Sequence, residues 1–435
     1  MPQPVHPLVR AIGRWSLAGL ALNSIIGSGI FGLPSLVVGL VGRASPLAVM
    51  IAGVAIAVIL ACYAEVASQF TVTGGTYLYV REAFGRFAGI QVGWFLLLVR
   101  LTASAATANL FVIYGGEFWP RAANPIPRFL ILTLLVGTLA AANYRGVRAG
   151  AEVSNGFVLA KLLPLSLICL AGAIYLAAHH RAVVAASSPA GARAWLEAML
   201  LLTFSYGGAE SALIPAGEAK DPRRDAAFAL FVALGIVTLI YTVIQWVVVG
   251  VLPDAAHSVR PLADVAGMLM GKGGTAVVAI GALLAVLGYL SANMLTLPRS
   301  TFALAEQGDF PSWFATIHRK FRTPHVSILV IAILIWLLAL LGSFSWNVTL
   351  SAAARLLYYG LVCAAVPVLR KKQSGAASFP IPGGPAFAVV GVVICLVLFA
   401  GVDLSKFLIL AVTFSIALLN WLVVRRTTQA FSLPR

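Results

Sequence analysis

The feature that most constrains this chain is the recurrence of apolar runs too long for its own polar residues to cover. They fall at about residues 15–41, 46–70, 86–117, 127–143, 152–178, 194–215, 226–252, 275–304, 325–342, 346–369, 384–401 and 404–424. Each is long enough, or nearly so, to cross about 30 Å of hydrocarbon at 1.5 Å per residue. The sequence therefore predicts an all-α membrane protein of twelve transmembrane helices. Only 10% of the 435 residues are charged and 60% are hydrophobic, a balance that excludes a water-soluble globular fold. No stretch between the runs is long enough to house a soluble domain, and none alternates with the ten-residue pattern of an outer-membrane barrel. The first run is too long, and too interrupted by Gly and Pro, for a cleaved signal sequence, so it is expected to be retained.

Lys+Arg 30 against Asp+Glu 14 leaves a formal charge of +16. With the four basic residues away from the run ends set aside (Arg100, Lys161, Arg299, Arg355), eighteen Lys and Arg fall on the side of both termini and eight on the other. The bias puts both termini in the cytoplasm, in the plasma (inner) membrane, and makes the excess a topology signal. No nucleic-acid-binding pattern accompanies it, so nucleic acid is not an expected partner; the expected partners are a small-molecule amino acid and the surrounding membrane lipid. Cys62, Cys169, Cys363 and Cys395 lie inside long apolar runs without C-x-x-C spacing, and the six histidines lie at or beyond run ends. Neither a disulfide, a metal site nor a cofactor is expected.

Two runs are interrupted. The first reads Asn23-Ser24-Ile25-Ile26-Gly27-Ser28-Gly29-Ile30-Phe31-Gly32, and the sixth reads Phe204-Ser205-Tyr206-Gly207-Gly208-Ala209-Glu210. Small residues also serve close helix packing, but an unwound backbone in hydrocarbon is tolerated only where it lines a cavity. Paired interruptions five spans apart point to a transporter's substrate site. Freed N–H groups at a half-helix N-terminus attract a carboxylate, and freed carbonyls at a half-helix C-terminus attract an ammonium. The expected substrate is a small zwitterion, bound by Ile25, Ile26, Gly27, Ser28, Gly29, Phe204, Ser205, Tyr206 and Gly207.

Further motifs follow in order: Gly27-Ser28-Gly29-Ile30-Phe31, Tyr63-Ala64-Glu65-Val66-Ala67, Gly74-Gly75-Thr76-Tyr77, Gly217-Glu218-Ala219-Lys220-Asp221-Pro222, and Ala305-Glu306-Gln307-Gly308-Asp309-Phe310-Pro311. In these the chain resembles the amino acid/polyamine/organocation (APC) superfamily, nearest in pattern to its lysine-bearing bacterial permeases and L-type exchangers. The resemblance implies a leucine-transporter-like fold in one transporter domain over 1–435. Residues 1–178 would hold helices 1–5, residues 194–370 helices 6–10 as an inverted repeat, and residues 384–424 helices 11 and 12. It implies alternating-access transport of amino acids by exchange or proton symport; no enzyme motif is present. Phe204 stands where arginine/agmatine exchangers carry a Trp, which disfavours that exchange, and the mostly basic deep charges disfavour polyamines.

Lys161 lies mid-run in helix 5, where a charge costs at least about 2.5 kcal/mol unless it meets a cavity or a partner. In the lysine-bearing branch that this segment resembles, the ammonium takes the place of sodium. Sodium independence is expected, with proton coupling through Lys161 and neighbours among the carbonyls of Ile25, Ile26 and Gly27 and a helix-8 residue, Ser291 or Asn293. Arg100 and Arg355 either face an acidic substrate or are neutralised by Glu210. Glu65, near the cytoplasmic end of helix 2, is expected to meet a basic loop residue. Oligomeric state is left open.

Overall fold

The computed structural model describes residues 13–70, 75–146, 151–179, 190–210, 222–372 and 379–430. Among these the chain is helical, with no strand. Helix α1 (Arg14–Ile25) stops short of mid-run, α2 (Ser28–Gly32) resumes after Ile26-Gly27, and α3 (Pro34–Val41) completes the first expected span. There follow α4 (Ser45–Ser68), α5 (Gly75–Phe84), α6 (Arg86–Gly115), α7 (Pro125–Arg145) and α8 (Ala151–Ala178). The sixth expected span forms α9 (Ala192–Ser205) and then leaves the helix; its residues 211–215 lie outside the described residues. The rest comprises α10 (Pro222–Val251), α11 (Pro261–Glu306), α12 (His325–Leu341), α13 (Phe344–Lys372), α14 (Gly384–Phe399) and α15 (Leu404–Ala430).

Two helices differ from the sequence reading. Gly75–Phe84 is helical where only a connecting segment is expected, and α11 begins at Pro261, well before the expected run at 275. Its extra turns end at Gly271, whose φ of 70° redirects the axis in a way that disfavours any residue with a Cβ. Nine helices or joined helices among the described residues are long and apolar enough to cross a membrane, and α12 and α14 are shorter apolar helices.

The bundle is packed inside out relative to a soluble protein. On α6, Ala103, Ala105, Ala106 and Ala108 are buried, and on α13, Ala352, Ala353 and Ala354, so these two helices approach through small side chains. Large apolar residues instead face outward on the peripheral helices: Leu134, Leu163, Leu239, Leu396 and Leu404. Such a surface is stable in a hydrocarbon solvent and would aggregate in water.

One end of the bundle is tied by buried carboxylates. Arg370, at the end of α13, donates through Nε and Nη2 to both oxygens of Glu65, and the Ile381 N–H donates to Glu65 Oε2 at 3.1 Å. The partner expected for Glu65 is thus the last turn of a long helix rather than a loop. Asp309 receives Arg81 at 2.7 Å and Arg86 at 2.6 Å together with the Tyr77 hydroxyl, which joins α5 and α6 to the turn after α11.

Candidate functional site

The two helix breaks meet. Gly208, in the turn after α9, has φ +110°, and a Cβ there would run into the Ser24 carbonyl of α1. A Cβ on Gly29 would lie 2.9 Å from both Cα and Oγ of Ser205. Each half-helix therefore touches the opposite break through main-chain atoms, and glycine is what permits the approach. Gly29→Ala is expected to reduce uptake at unchanged protein level by about 5- to 150-fold, the equivalent of 1–3 kcal/mol of overpacking. Gly39→Ala, where a Cβ meets nothing within 4 Å, is the control that should transport normally.

Lys161 reaches across from α8 into the first break. Its ammonium donates to the carbonyls of Asn23 at 2.6 Å and Ile26 at 2.7 Å, and the residue is only 8% exposed. These carbonyls have lost their helical partners because the chain turns out of helix at Ile26 (ψ 94°). Of the three carbonyls expected, Ile26 meets the lysine, Asn23 is an addition, and that of Ile25 accepts from the Tyr241 hydroxyl of α10 at 3.2 Å. The same hydroxyl lies 3.5 Å from the Ser205 carbonyl at the end of α9, so one phenol stands between the two breaks. Sequence reading missed Tyr241, since a tyrosine inside an apolar run looks like core. Its signal was the hydroxyl, which needs a partner when buried.

Two expectations need correction here. Neither Ser291 nor Asn293 bonds Lys161: Asn293 donates to the Ser104 hydroxyl at 2.5 Å and to the Arg100 carbonyl at 3.2 Å, and accepts from the Arg100 guanidinium at 3.2 Å. Ser291, two residues earlier on α11, projects from the other side of the helix and is half-buried. Tyr206, expected at the substrate, donates to the Val49 carbonyl at 2.9 Å and packs on Tyr241 with ring centroids 5.6 Å apart. It braces the break from behind. Phe204 is buried beside it, and the Ser28 hydroxyl lies 2.9 Å from that of Thr107 on α6.

Two of the deep arginines have different surroundings: Arg100 contacts Asn293 and Arg355 is paired with a carboxylate. Arg355 of α13 donates to Glu210 Oε1 at 3.2 Å, and Glu210 also accepts from Tyr358 at 3.2 Å, Tyr359 at 3.0 Å and the Gly208 N–H at 3.0 Å. Four donors on a buried carboxylate satisfy its charge, and Gly207 lies flush against the guanidinium. The partner of Glu210 is therefore Arg355 and not Arg100, because α13 presents Arg355, Tyr358 and Tyr359 at i, i+3 and i+4 on one face toward the second break. Among the described residues no group of three or more His, Cys, Asp or Glu could hold a metal ion.

A half-helix with its carbonyls held by an ammonium thus abuts a second broken helix. Residues 12–422 match the amino acid permease family. The chain belongs to that family. The permease is 27% identical to the branched-chain amino acid permease BcaP of Bacillus subtilis, over 90% of this chain and 88% of the relative. It is 27% identical to the serine/threonine exchanger SteT of the same organism, over 88% and 90%. It is 26% identical to that organism's methylthioribose transporter, over 89% and 87%. With its apolar helices, this makes the permease a multi-pass membrane protein.

Proposed function

We propose that the permease is a sodium-independent secondary active transporter of small neutral amino acids in the plasma membrane. It works by alternating access, as an exchanger or proton symporter. The reading takes twelve spans, with helices 1–5 and 6–10 as inverted repeats and both termini cytoplasmic, in keeping with the eighteen-to-eight distribution of basic residues.

The observation that carries it is the Lys161 ammonium on the Asn23 and Ile26 carbonyls. A fixed cation already occupies the oxygen ligands that a bound sodium ion would need. Neutral cargo is favoured by the Arg355–Glu210 pair, which leaves the second break without net charge. The main-chain groups of Gly27, Ser28, Gly29, Ser205 and Gly207 then supply the donors and acceptors for one carboxylate and one ammonium.

The test is uptake into proteoliposomes of a labelled panel: leucine, valine, alanine, serine, threonine, glutamate, arginine and methylthioribose. Each is run with and without sodium, a pH gradient and internal amino acid. Uptake of a neutral amino acid, unchanged when choline replaces sodium, is the expected result. Strict sodium dependence would refute the role given to Lys161, and glutamate competing better than every neutral amino acid would refute the charge argument.

A further inference from the structure

Away from the breaks, the first turns of α1 and α10 form an aromatic corner with two cations on it. Trp15 is 66% exposed and meets Phe228 edge to face at 5.0 Å, while the Arg14 guanidinium lies 5.3 Å from the centre of the Phe228 ring. Arg224 precedes Phe228 by one helical turn, on the same face of α10. Arg224, Ala227, Phe228, Phe231 and Phe379 line an open cavity of about 410 Å³. Phe379 is fixed as its far wall by a hydrogen bond from its N–H to the Ser68 hydroxyl at 3.3 Å.

Neither Arg14 nor Arg224 makes an ion pair among the described residues, although both sit on exposed aromatic surface. Asp225, next to Arg224 in sequence, is half-buried, and adjacent residues on a helix do not face each other. Below the cations, Phe231, Ile236 and Leu239 are exposed down the side of α10. A head of two guanidinium groups, a collar of aromatic rings and an apolar lane beneath is the chemistry that fits an anionic phospholipid. The arginines take the phosphate oxygens, the rings sit at the glycerol level, and an acyl chain follows the lane.

We infer that this corner is a binding site for an anionic phospholipid, held between α1 and α10. Both helices also carry atoms of the candidate transport site: α1 ends at the first break and α10 supplies Tyr241. An occupant between them bears on their relative position, whatever the cargo.

The experiment uses the purified full-length chain, delipidated in detergent and titrated with dioleoyl-phosphatidylglycerol or dioleoyl-phosphatidylcholine, with bound lipid read by native mass spectrometry. The wild type is expected to retain phosphatidylglycerol in preference to phosphatidylcholine. Each basic residue near an anionic surface is worth roughly a factor of five, so Arg14→Gln with Arg224→Gln should weaken that retention by about 25-fold. Lysine at both positions should keep most of it, which separates charge loss from misfolding. A control of equal charge loss, Arg319→Gln with Lys371→Gln, should bind as wild type. Glycerol phosphate and inorganic phosphate, which lack acyl chains, should not displace the lipid. Equal retention in the Arg14/Arg224 variant, an equal loss in the control, or displacement by inorganic phosphate would each overturn the inference. None of these readouts depends on which substrate the permease carries.

Discussion

Lys161→Ala is expected to abolish uptake while the protein still reaches the membrane. The substitution removes two hydrogen bonds from a charged donor, each worth about 1.5–3 kcal/mol, and leaves two carbonyls of the break without their partner. Loss of 3–6 kcal/mol from the geometry of the break corresponds to about a 10²- to 10⁴-fold loss of transport. The check is initial-rate uptake of the best substrate in proteoliposomes, normalised to reconstituted protein. If the ammonium acts as the resident cation, added sodium should restore part of the activity in the alanine variant and none in the wild type. Wild-type rates in Lys161→Ala without sodium would remove the central assignment.

Breaking the buried pair should produce the second large effect, this time on stability. Glu210→Gln leaves the Arg355 guanidinium buried beside Gly207 without its counter-charge, and breaking such a pair costs about 3–5 kcal/mol. The variant should lose its monodisperse peak on heating in detergent at a markedly lower temperature than wild type. Adding Arg355→Met removes the orphaned charge, and the double variant should recover most of that loss, because a buried pair replaced by apolar groups is often neutral for stability. A double variant no more stable than Glu210→Gln alone would show that the tyrosines, and not the charge, dominate. Arg100→Gln, which leaves this pair intact, should shift the melting temperature far less.

The spans were legible because hydrophobic length is a local property of the chain. The boundaries of α6, α7 and α13 fall within three residues of the apolar runs that announce them. The helices Gly75–Phe84 and the start of α11 were not legible in this way, since both are short and mixed in polarity and are held by what they pack against. At the site, a lone lysine inside an apolar run announces itself, and so do clustered glycines. Partners announce themselves less fully. The Ile26 carbonyl was legible from its place at the break, whereas that of Asn23 is one any residue would offer, so no side chain could have marked it. The pairing of Glu210 with Arg355 instead of Arg100 depends on helix rotations that single-span hydrophobicity leaves undetermined. Tyr358 and Tyr359, which complete the shell of Glu210, read in sequence as ordinary aromatic packing.

The polar atoms freed by unwinding at the two breaks are main-chain N–H and C=O groups, and this bears on how such a scaffold diversifies. A point mutation exchanges side chains but cannot delete a carbonyl, so, on the proposed function, binding of an α-amino and α-carboxylate pair through these groups would be insulated from most sequence drift. Only the glycines that let the strands of backbone approach are exposed to loss by substitution. Drift is then free to act on the walls around the fixed polar centre. Relatives only 26–27% identical can bear names as different as branched-chain amino acid permease, serine/threonine exchanger and methylthioribose transporter on one common frame.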